Sequence, residues 1–115
     1  MRRGEIRLVD LEPVRGAESN KQRPAVIVSN DGANSTAERL GRGVVTVVPV
    51  TSNIDRVYPF QVLLPAKETG LAIDSKAQAE QIRSVAVERI GTRVGLVPNE
   101  LLGDVDEAMR LHLAL

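Results

Sequence analysis

The side chains that can do chemistry in this sequence are mainly arginines, carboxylates and hydroxyls. The chain has one histidine, His112, and no cysteine. A Ser-His-Asp triad, a Cys-His pair and the usual zinc ligand sets therefore have no basis here. We expect His112 to be structural, because it falls in the last turn of a predicted helix, where a cation suits the helix dipole. Asp104 and Asp106 are two positions apart on that helix and do not share a face, so we predict no metal site.

Arginine chemistry suits an anionic, phosphate-bearing substrate better than a neutral one. The sequence contains no glycine-rich phosphate loop and no dinucleotide fingerprint, so no cofactor is predicted. Net charge is zero, with 15 basic and 15 acidic residues, which argues against a general nucleic-acid coat. A local basic site remains open, because basic residues crowd the first quarter of the chain. They are Arg2, Arg3, Arg7, Arg15, Lys21 and Arg23.

The size and composition predict one domain covering residues 1–115. Hydrophobic residues make up 43% of the chain, enough for one modest core, and oligomerisation would add buried area. No apolar run has the length needed to span a bilayer. The basic opening leads into Ile6–Asp10, which is too short and too charged for the core of a signal peptide. We therefore expect a soluble cytoplasmic protein with no membrane association.

The first half of the chain predicts three strands separated by two long connections. The strands are Ile6–Asp10, Pro24–Ser29 and Val44–Val50. The polar loop Leu11–Gln22 is longer than ordinary hairpin loops, and long loops are often functional. Asn30–Gly43 is rich in Asn, Gly, Ser and Ala and predicts a second connection, with a helical turn around Ala37. Pro49 cannot donate a ladder hydrogen bond, so its end of the strand is expected at an edge or bulge.

The second half predicts further strands and a terminal helix. Tyr58–Phe60 opens a strand with alternating polarity, in which Phe60 is expected to enter the core. Asp74–Val85 predicts one long, mostly polar strand, and Ile90–Val97 a shorter one. A helix follows from Pro98, with apolar residues at helical spacing. Short strands, long loops and one terminal helix together predict a small, bent β-barrel with helical additions.

Five segments resemble those of MazF/PemK toxins. Gly16–Ser29, GAESNKQRPAVIVS, resembles the family's G-S-E-x(4)-R-P-x-(V/L)-(V/I) segment. The other similar segments are Arg3–Ile6 with Val9–Pro13, Val48–Asn53, Tyr58–Val62 and Ala79–Val85. Each segment alone is weakly specific. The five run in order across nearly the whole chain, so chance does not account for them.

The resemblance implies a fold and an activity. Such proteins are mainly β, with an SH3-like barrel of the PemK/CcdB kind, short helical insertions and a C-terminal helix, and they form two-fold homodimers. They are toxins of type II toxin–antitoxin systems that stop translation and growth. They cleave single-stranded RNA without metal, leaving a 2′,3′-cyclic phosphate and a 5′-hydroxyl. A cognate, MazE-like antitoxin inhibits them by laying a disordered, acidic and apolar tail over the RNA groove.

The resemblance also implies Arg23 and Thr51 as the catalytic pair. A guanidinium donates in a fork that matches phosphate oxygens, and a threonine hydroxyl can donate to a non-bridging oxygen. The acid–base role that analogy gives to Arg23 conflicts with the chemistry of a guanidinium, which stays protonated at neutral pH and is a poor base. Glu18, in the same loop, is therefore a third candidate, either orienting Arg23 or taking the 2′-proton. The alternative for Arg23 is a surface ion pair with Glu18, and for Thr51 an ordinary strand-end residue.

RNA binding is expected to rest mostly on polar side chains, because single strands are held by stacking and by hydrogen bonds to base edges and the chain has few aromatics. Tyr58 could stack a base or cap the core. The candidate RNA-binding residues are Asn20, Lys21, Gln22, Ser52, Asn53, Tyr58, Gln81 and Arg83.

Two positions depart from the family pattern, and two other functions stay open. Ala17 replaces a common serine and Arg7 a common aromatic residue, which bears on the cleavage sequence more than on the catalytic step.

The first alternative function is a CcdB-like toxin that poisons DNA gyrase by binding it. That type depends on a tryptophan near its C-terminus, and this chain has none. The second is an RNA-binding barrel without catalysis.

Overall fold

A seven-stranded antiparallel sheet forms the framework of the protein in a computed structural model that describes residues 1–11 and 22–115. The strands are β1 (Glu5–Asp10), β2 (Gln22–Ile27), β3 (Val44–Thr51), β4 (Gln61–Leu64), β5 (Ser75–Gln78), β6 (Arg83–Ala86) and β7 (Ile90–Leu96). The helices are α1 (Asp31–Leu40), α2 (Ala66–Thr69) and α3 (Asn99–Leu113), with single 3₁₀ turns at Ala79–Gln81 and Val87–Arg89. The mainly β class with a C-terminal helix is confirmed. None of the described helices is long and apolar enough to cross a membrane.

The strands are ordered β4-β5-β3-β2-β1-β7, and β6 also pairs with β3. The β-branched run of β3 occupies the middle of this order, as expected for residues that pack well on both faces of a sheet. Within the described part of the chain, no pairing joins β4 to β7. The sheet there is open, whereas the sequence predicted a barrel.

Strand β3 changes its partner along one edge. Its first half, Val44–Val47, pairs with β6, and Val50 and Thr51 pair with β5. Pro49 lies between these two ladders and is opposite Ala25 of β2 on the other edge. A proline is tolerated in this central strand because no ladder hydrogen bond is required of it where the partner changes. The prediction that Pro49 lies at an edge or bulge was wrong, because β3 is a central strand and its register with β2 runs to Pro49 without a shift.

Apolar side chains fill both faces of the sheet. One cluster lies under α3 and the β4–β5 pair, and contains Ile6, Val26, Val28, Val48, Val50, Val62, Leu64, Ala77, Ala79, Val97, Val105 and Ala108. The other lies under α1, and contains Val9, Leu11, Ala25, Ile27, Ala37, Val45, Val47 and Val85. Neighbouring residues of β1, β2 and β3 therefore alternate between two cores. Such burial on both faces anchors the two strands whose ends carry Arg23 and Thr51.

Helix α1 is longer than the single turn that the sequence predicted. Its composition is poor in strong helix formers, but Asn30 caps it by accepting a hydrogen bond from the Ala33 backbone at 2.8 Å. Asn34 is fully buried and bonds Ser29 twice, donating to its carbonyl at 2.9 Å and accepting from its hydroxyl. These tertiary contacts, rather than intrinsic propensity, explain why a helix forms here.

The predicted strand over Asp74–Val85 was wrong. It is two short strands, β5 and β6, separated by the 3₁₀ turn Ala79–Gln81. The turn lets β5 pair with the end of β3 while β6 pairs with its beginning. Two polar residues of this stretch, Ser75 and Lys76, are buried.

The apolar stripe of α3 is largely used within the chain. Val105 and Ala108 are buried in the core, and Leu101, Leu102 and Met109 pack against it. The helix is further tied down by an ion pair between Arg3 and Asp106. Its last turn carries His112, which is exposed. The stripe thus accounts for contacts inside the chain and leaves only Leu111, Leu113 and Leu115 as large exposed apolar residues at this end.

Arg7, which replaces a common aromatic residue of the family, has a structural role in β1. Its guanidinium lies 2.8 Å from the buried carboxylate of Glu5 and donates to the Gly91 carbonyl at 3.1 Å. Burial raises the pKa of Glu5, but the Arg7 hydrogen bond and charge, with the Arg2 backbone N–H, together hold that pKa below its usual value. The contact joins β1 to β7 beside the functional strands.

Candidate active site

Strand register brings Arg23 and Thr51 together. β2 and β3 are antiparallel, with Ala25 opposite Pro49 and Ile27 opposite Val47. Continuing this register by two residues sets Arg23 opposite Thr51, and directly opposite residues have side chains on the same face. Both residues line one cleft, which confirms that they are neighbours. The sequence alone does not reveal this juxtaposition, because the two positions are separated by α1 and most of β3.

The cleft has a volume of about 370 Å³ and combines polar groups on one side with apolar walls. Its lining residues are Leu8, Arg23, Pro24, Val50, Thr51, Ser52, Leu71, Ala72, Ile73, Ser75 and Val94. Three of these, Arg23, Thr51 and Ser52, were predicted as site residues. Arg23 is exposed and Thr51 is half-buried, so a polymeric substrate can reach both residues from the surface.

The backbone of Arg23 is fixed by β1, since Arg23 is paired with Val9. Its side chain is exposed and makes no ion pair with any residue of segments 1–11 and 22–115. The guanidinium can therefore turn its donors toward a ligand. Glu18, predicted as its partner, lies outside the described residues, as do Asn20 and Lys21.

The Thr51 hydroxyl sits at the start of the β3–β4 loop. Its Oγ1 accepts a hydrogen bond from the Asn53 backbone N–H at 3.2 Å, and Asn53 Oδ1 in turn accepts from the Asp55 backbone N–H at 3.3 Å. These two turns fix where the loop leaves the strand. Because Thr51 Oγ1 acts only as an acceptor in this contact, its proton remains available for a substrate oxygen.

Leu71–Ile73 form another wall of the cleft, and a glycine and a buried threonine fix its position. Gly95 of β7 lies so close to the carbonyl oxygen of Thr69 that an added Cβ would be 2.7 Å from it, so only glycine permits the approach. Thr69 Oγ1 donates to the Pro65 carbonyl at 2.9 Å and accepts from the Leu71 backbone N–H at 3.3 Å. The wall residue Ile73 follows, with 61% of its surface exposed. No sequence pattern pointed to this segment as part of the site.

Buried polar side chains hold the far end of the β3–β4 loop. Lys76, directly opposite Thr51 in β5, donates from Nζ to the Arg56 carbonyl at 2.5 Å. The same Nζ lies 6.0 Å from the centre of the Tyr58 ring. Gln61 accepts from the Tyr58 backbone N–H at 3.1 Å and donates to Glu80 at 2.7 Å. Sequence reasoning missed Lys76, because alternation in a polar stretch does not show which lysine is buried.

The aromatic residues are arranged differently from the prediction. The segment Tyr58–Phe60 precedes β4, which begins at Gln61. Phe60 is half-buried and outside both core clusters, so its predicted core position was wrong. It stacks on Tyr58 with ring centres 5.4 Å apart and planes inclined by 4°. Tyr58 remains 42% exposed, and its hydroxyl accepts from Arg56 at 3.3 Å.

The remaining predicted RNA contacts do not line the cleft. Gln22 is exposed at the beginning of β2, and Gln81 is exposed in the 3₁₀ turn after β5. Arg83 is opposite Val47 in the β3–β6 ladder, four residues from Thr51 along β3. It donates to the Leu11 carbonyl at 2.8 Å. Arg83 thus supports the chain where it leaves β1.

The described residues contain no group of three or more His, Asp or Glu side chains arranged to hold a metal ion. Two buried carboxylate oxygens, on Asp10 and Glu80, have no hydrogen-bond partner among these residues. We have no physical account of the Glu80 oxygen. The chemistry available in the cleft is hydrogen-bond donation from a guanidinium and a hydroxyl.

Comparison with known proteins agrees with this arrangement. The family model for PemK-like, MazF-like toxins of type II toxin–antitoxin systems matches residues 2–113. Endoribonuclease MazF9 of Mycobacterium tuberculosis is 67% identical over 115 residues, covering 100% of this chain and 98% of that protein. Endoribonuclease EndoA of Bacillus subtilis is 31% identical over 116 residues, covering 100% of this chain and 96% of that protein. A solved MazE–MazF structure from Deinococcus radiodurans has a TM-score of 0.77 and 25% sequence identity, and the match covers 100% of this chain and 96% of that one.

The matched segment spans nearly the whole chain and contains both Arg23 and Thr51. The sheet, its C-terminal helix and the order of segments along the chain fit the same family. The chain belongs to the PemK-like, MazF-like toxin family of type II toxin–antitoxin systems.

Proposed function

We propose that this protein is the toxin of a type II toxin–antitoxin system and acts as a metal-independent endoribonuclease on single-stranded RNA. The observation that carries the proposal is that Arg23 and Thr51, at the ends of two neighbouring strands, line one cleft. High identity to a protein named endoribonuclease MazF9 supports the reaction class. Because its substrate would be cellular RNA, we place its action in the cytoplasm.

The proposed reaction uses a nucleophile that the substrate supplies. The 2′-oxygen of one ribose attacks the adjacent phosphorus, the bond to the 5′-oxygen breaks, and the products are a 2′,3′-cyclic phosphate and a 5′-hydroxyl. One proton leaves the 2′-oxygen and one reaches the 5′-oxygen. The protein must also stabilise negative charge on the five-coordinate phosphorus.

Arg23 and Thr51 suit the charge-stabilising part of this reaction. The Arg23 fork can contact two phosphate oxygens, and the Thr51 hydroxyl can donate to a non-bridging oxygen. Such preorganised donors are worth roughly 2.7–4 kcal/mol each in a transition state. Glu18 remains our candidate either for orienting Arg23 or for accepting the proton of the 2′-hydroxyl as the general base.

We favour RNA cleavage over the gyrase-poisoning function of the CcdB type. The two curated relatives described above are both named endoribonucleases, and the cleft offers donors for a phosphate. For RNA binding we retain Ser52 as a cleft residue and Asn53, Tyr58 and Gln22 as contacts on the surrounding surface. Gln81, Arg83, Asn20 and Lys21 complete the proposed RNA-binding set.

Cleavage should continue at full rate in EDTA, because the proposed chemistry uses only side-chain donors. Purified protein would be incubated with a mixed-sequence RNA in excess chelator, and the product ends would be mapped. We expect 5′-hydroxyl ends and cyclic phosphates. A catalytically dead Arg23→Ala sample prepared in parallel controls for contaminating ribonuclease. Activity that disappears in chelator and returns with magnesium would contradict the mechanism.

We propose that an antitoxin tail rich in acidic and apolar residues competes with RNA for the Arg23–Thr51 cleft. The structural neighbour from Deinococcus radiodurans is a MazE–MazF structure, which supports a MazE-like partner. The cleft pairs a cationic group with apolar walls, so carboxylates can replace phosphates while apolar side chains contact the wall near Ile73. A disordered tail must also overcome its ordering entropy, so it should cover a long path.

Competition would be measured by titrating RNA and a synthetic acidic-apolar peptide against each other at low and moderate salt. We expect each to weaken the binding of the other, and the peptide to bind more weakly as salt rises. The matched control is a peptide of the same length and residue order in which every carboxylate is replaced by an amide. It should compete poorly. Simultaneous, independent binding of RNA and peptide would show that inhibition does not work through this cleft.

We also propose that the toxin is a two-fold homodimer. The exposed apolar residues Leu40 and Val44 flank a groove of about 570 Å³ beside α1, and Leu111, Leu113 and Leu115 are exposed at the end of α3. A chain this small gains buried area by self-association. These exposed apolar surfaces support the proposal, whereas most of the apolar stripe of α3 is buried within the chain.

A further inference from the structure

Lys76 is a buried lysine that contacts the loop rather than the cleft. Only 7% of the residue is exposed, which is unusual for a lysine. Its ammonium donates to the Arg56 carbonyl at 2.5 Å and lies 6.0 Å from the centre of the Tyr58 ring. In the strand register it is opposite Thr51 on one side and Leu63 on the other. One side chain therefore links the strand that carries the catalytic threonine to the middle of the loop that follows it.

Stability alone does not explain a cation at this position. Removing an ammonium from water is costly, and an apolar side chain of similar volume often fills such a site at no loss of stability. The two partners of Lys76 are both in the loop, a backbone carbonyl and a ring face. The ammonium therefore stabilises one conformation of the loop between Thr51 and Gln61.

We propose that Lys76 is a positioning residue for RNA binding, which fixes the Arg56–Tyr58 segment at a set place relative to Thr51. The Arg56 guanidinium donates to the Tyr58 hydroxyl at 3.3 Å, and Phe60 stacks on the Tyr58 ring. Arginine and aromatic side chains are the usual surfaces on which single-stranded bases stack. Held in this way, they form a preformed contact surface for a base next to the scissile phosphate. This inference rests on the proposed endoribonuclease function.

Gln61 completes the attachment from the β4 side. It is 7% exposed, accepts from the Tyr58 backbone N–H and donates to Glu80. The loop is consequently fixed at Thr51, at Arg56 and at Tyr58 before any RNA binds. A loop ordered in advance loses less conformational entropy when a ligand binds. Loss of the Lys76 contact should therefore weaken RNA binding, whereas Thr51 stays in place through the strand pairs of β3.

The test compares Lys76→Met with Lys67→Met. Both variants lose one positive charge, but Lys67 is exposed on α2, so the pair separates loop positioning from bulk electrostatic attraction. We expect Lys76→Met to raise KM for RNA about tenfold with kcat changed less than about twofold. Lys67→Met should leave both parameters close to wild type. Lys76→Arg, which keeps a buried cation and donor, should recover most of the lost binding.

A second readout needs no RNA. Tyr58 is the only tyrosine and the chain has no tryptophan, so tyrosine fluorescence reports on this loop alone. Acrylamide should quench Tyr58 more strongly in Lys76→Met than in wild type or Lys67→Met. If Lys76→Met folds poorly by circular dichroism, Lys76→Gln would be measured in the same assays with the same expectations.

The outcomes separate this inference from the proposed function. Unchanged KM and unchanged quenching in Lys76→Met would overturn the positioning role. An equal rise of KM in Lys67→Met would show a general charge effect, and a loss of kcat alone would place the effect at Thr51 instead. If wild-type protein cut no RNA, the proposed function would fail, whereas the quenching data would still decide whether Lys76 orders the loop.

Discussion

Arg23→Ala should lower kcat/KM for RNA cleavage at least about a hundredfold, equivalent to ~2.7 kcal/mol of transition-state stabilisation. The guanidinium is exposed, unpaired within the described segments and anchored by a strand that is buried on both faces. It can therefore be removed without disturbing the core. The variant should keep the wild-type circular dichroism spectrum and thermal midpoint.

Arg23→Lys separates charge from geometry. An ammonium carries the same charge but lacks the planar fork that contacts two phosphate oxygens, so this variant should remain severely impaired. Arg39→Ala is the matched control, because Arg39 is an exposed arginine in the last turn of α1 and does not line the cleft. Full activity in the lysine variant would show that only a positive charge is needed at position 23.

Thr51→Val should cause a similar loss, again at least about a hundredfold, and mainly in kcat. Valine preserves the shape and β-branching of threonine and removes only the hydroxyl that would donate to the phosphate. Single-turnover cleavage measures this step directly. Thr51→Ala should be at least as impaired, since both variants lose the hydroxyl that accepts from the Asn53 backbone N–H and alanine also lacks the branched side chain.

Thr51→Ser provides the rescue, because serine keeps the hydroxyl in the same position on β3. It should recover activity to within about tenfold of wild type. Thr92→Val, an exposed threonine on β7, controls for the general effect of removing a strand hydroxyl. If Thr51→Val cleaves as well as wild type, the hydroxyl has no part in the reaction, and Thr51 is an ordinary strand-end residue.

The sequence predicted most strands well, because β-branched runs and alternating polarity are local properties. β3, β7 and α3 lie within a residue or two of their expected bounds. Helix α1 was underestimated because its stability comes from contacts made at a distance, above all the buried pair of Asn34 with Ser29. A local pattern cannot show such contacts.

The candidate site was predictable only in part. The family segments pointed to Arg23 and Thr51, and strand pairing places them in one cleft. The wall formed by Leu71–Ile73 depends on the close approach of Gly95 to Thr69, which no spacing in the sequence encodes. Lys76 was missed for a related reason, since burial of a polar side chain depends on which strand lies opposite it.

The change of pairing partner along β3 has a consequence for the order in which the protein unfolds. Beyond Pro49 the strand is held by two residue pairs, Val50 with Ala77 and Thr51 with Lys76, in a small unit with β4 and β5. Cooperative units with few pairs open at lower free energy than the rest of a domain. We therefore expect Thr51, the proposed catalytic threonine, to lie in the part of the sheet that opens first, while the β1–β2–β3–β6 portion remains paired. Heat would then abolish the enzyme's function before it melts the fold.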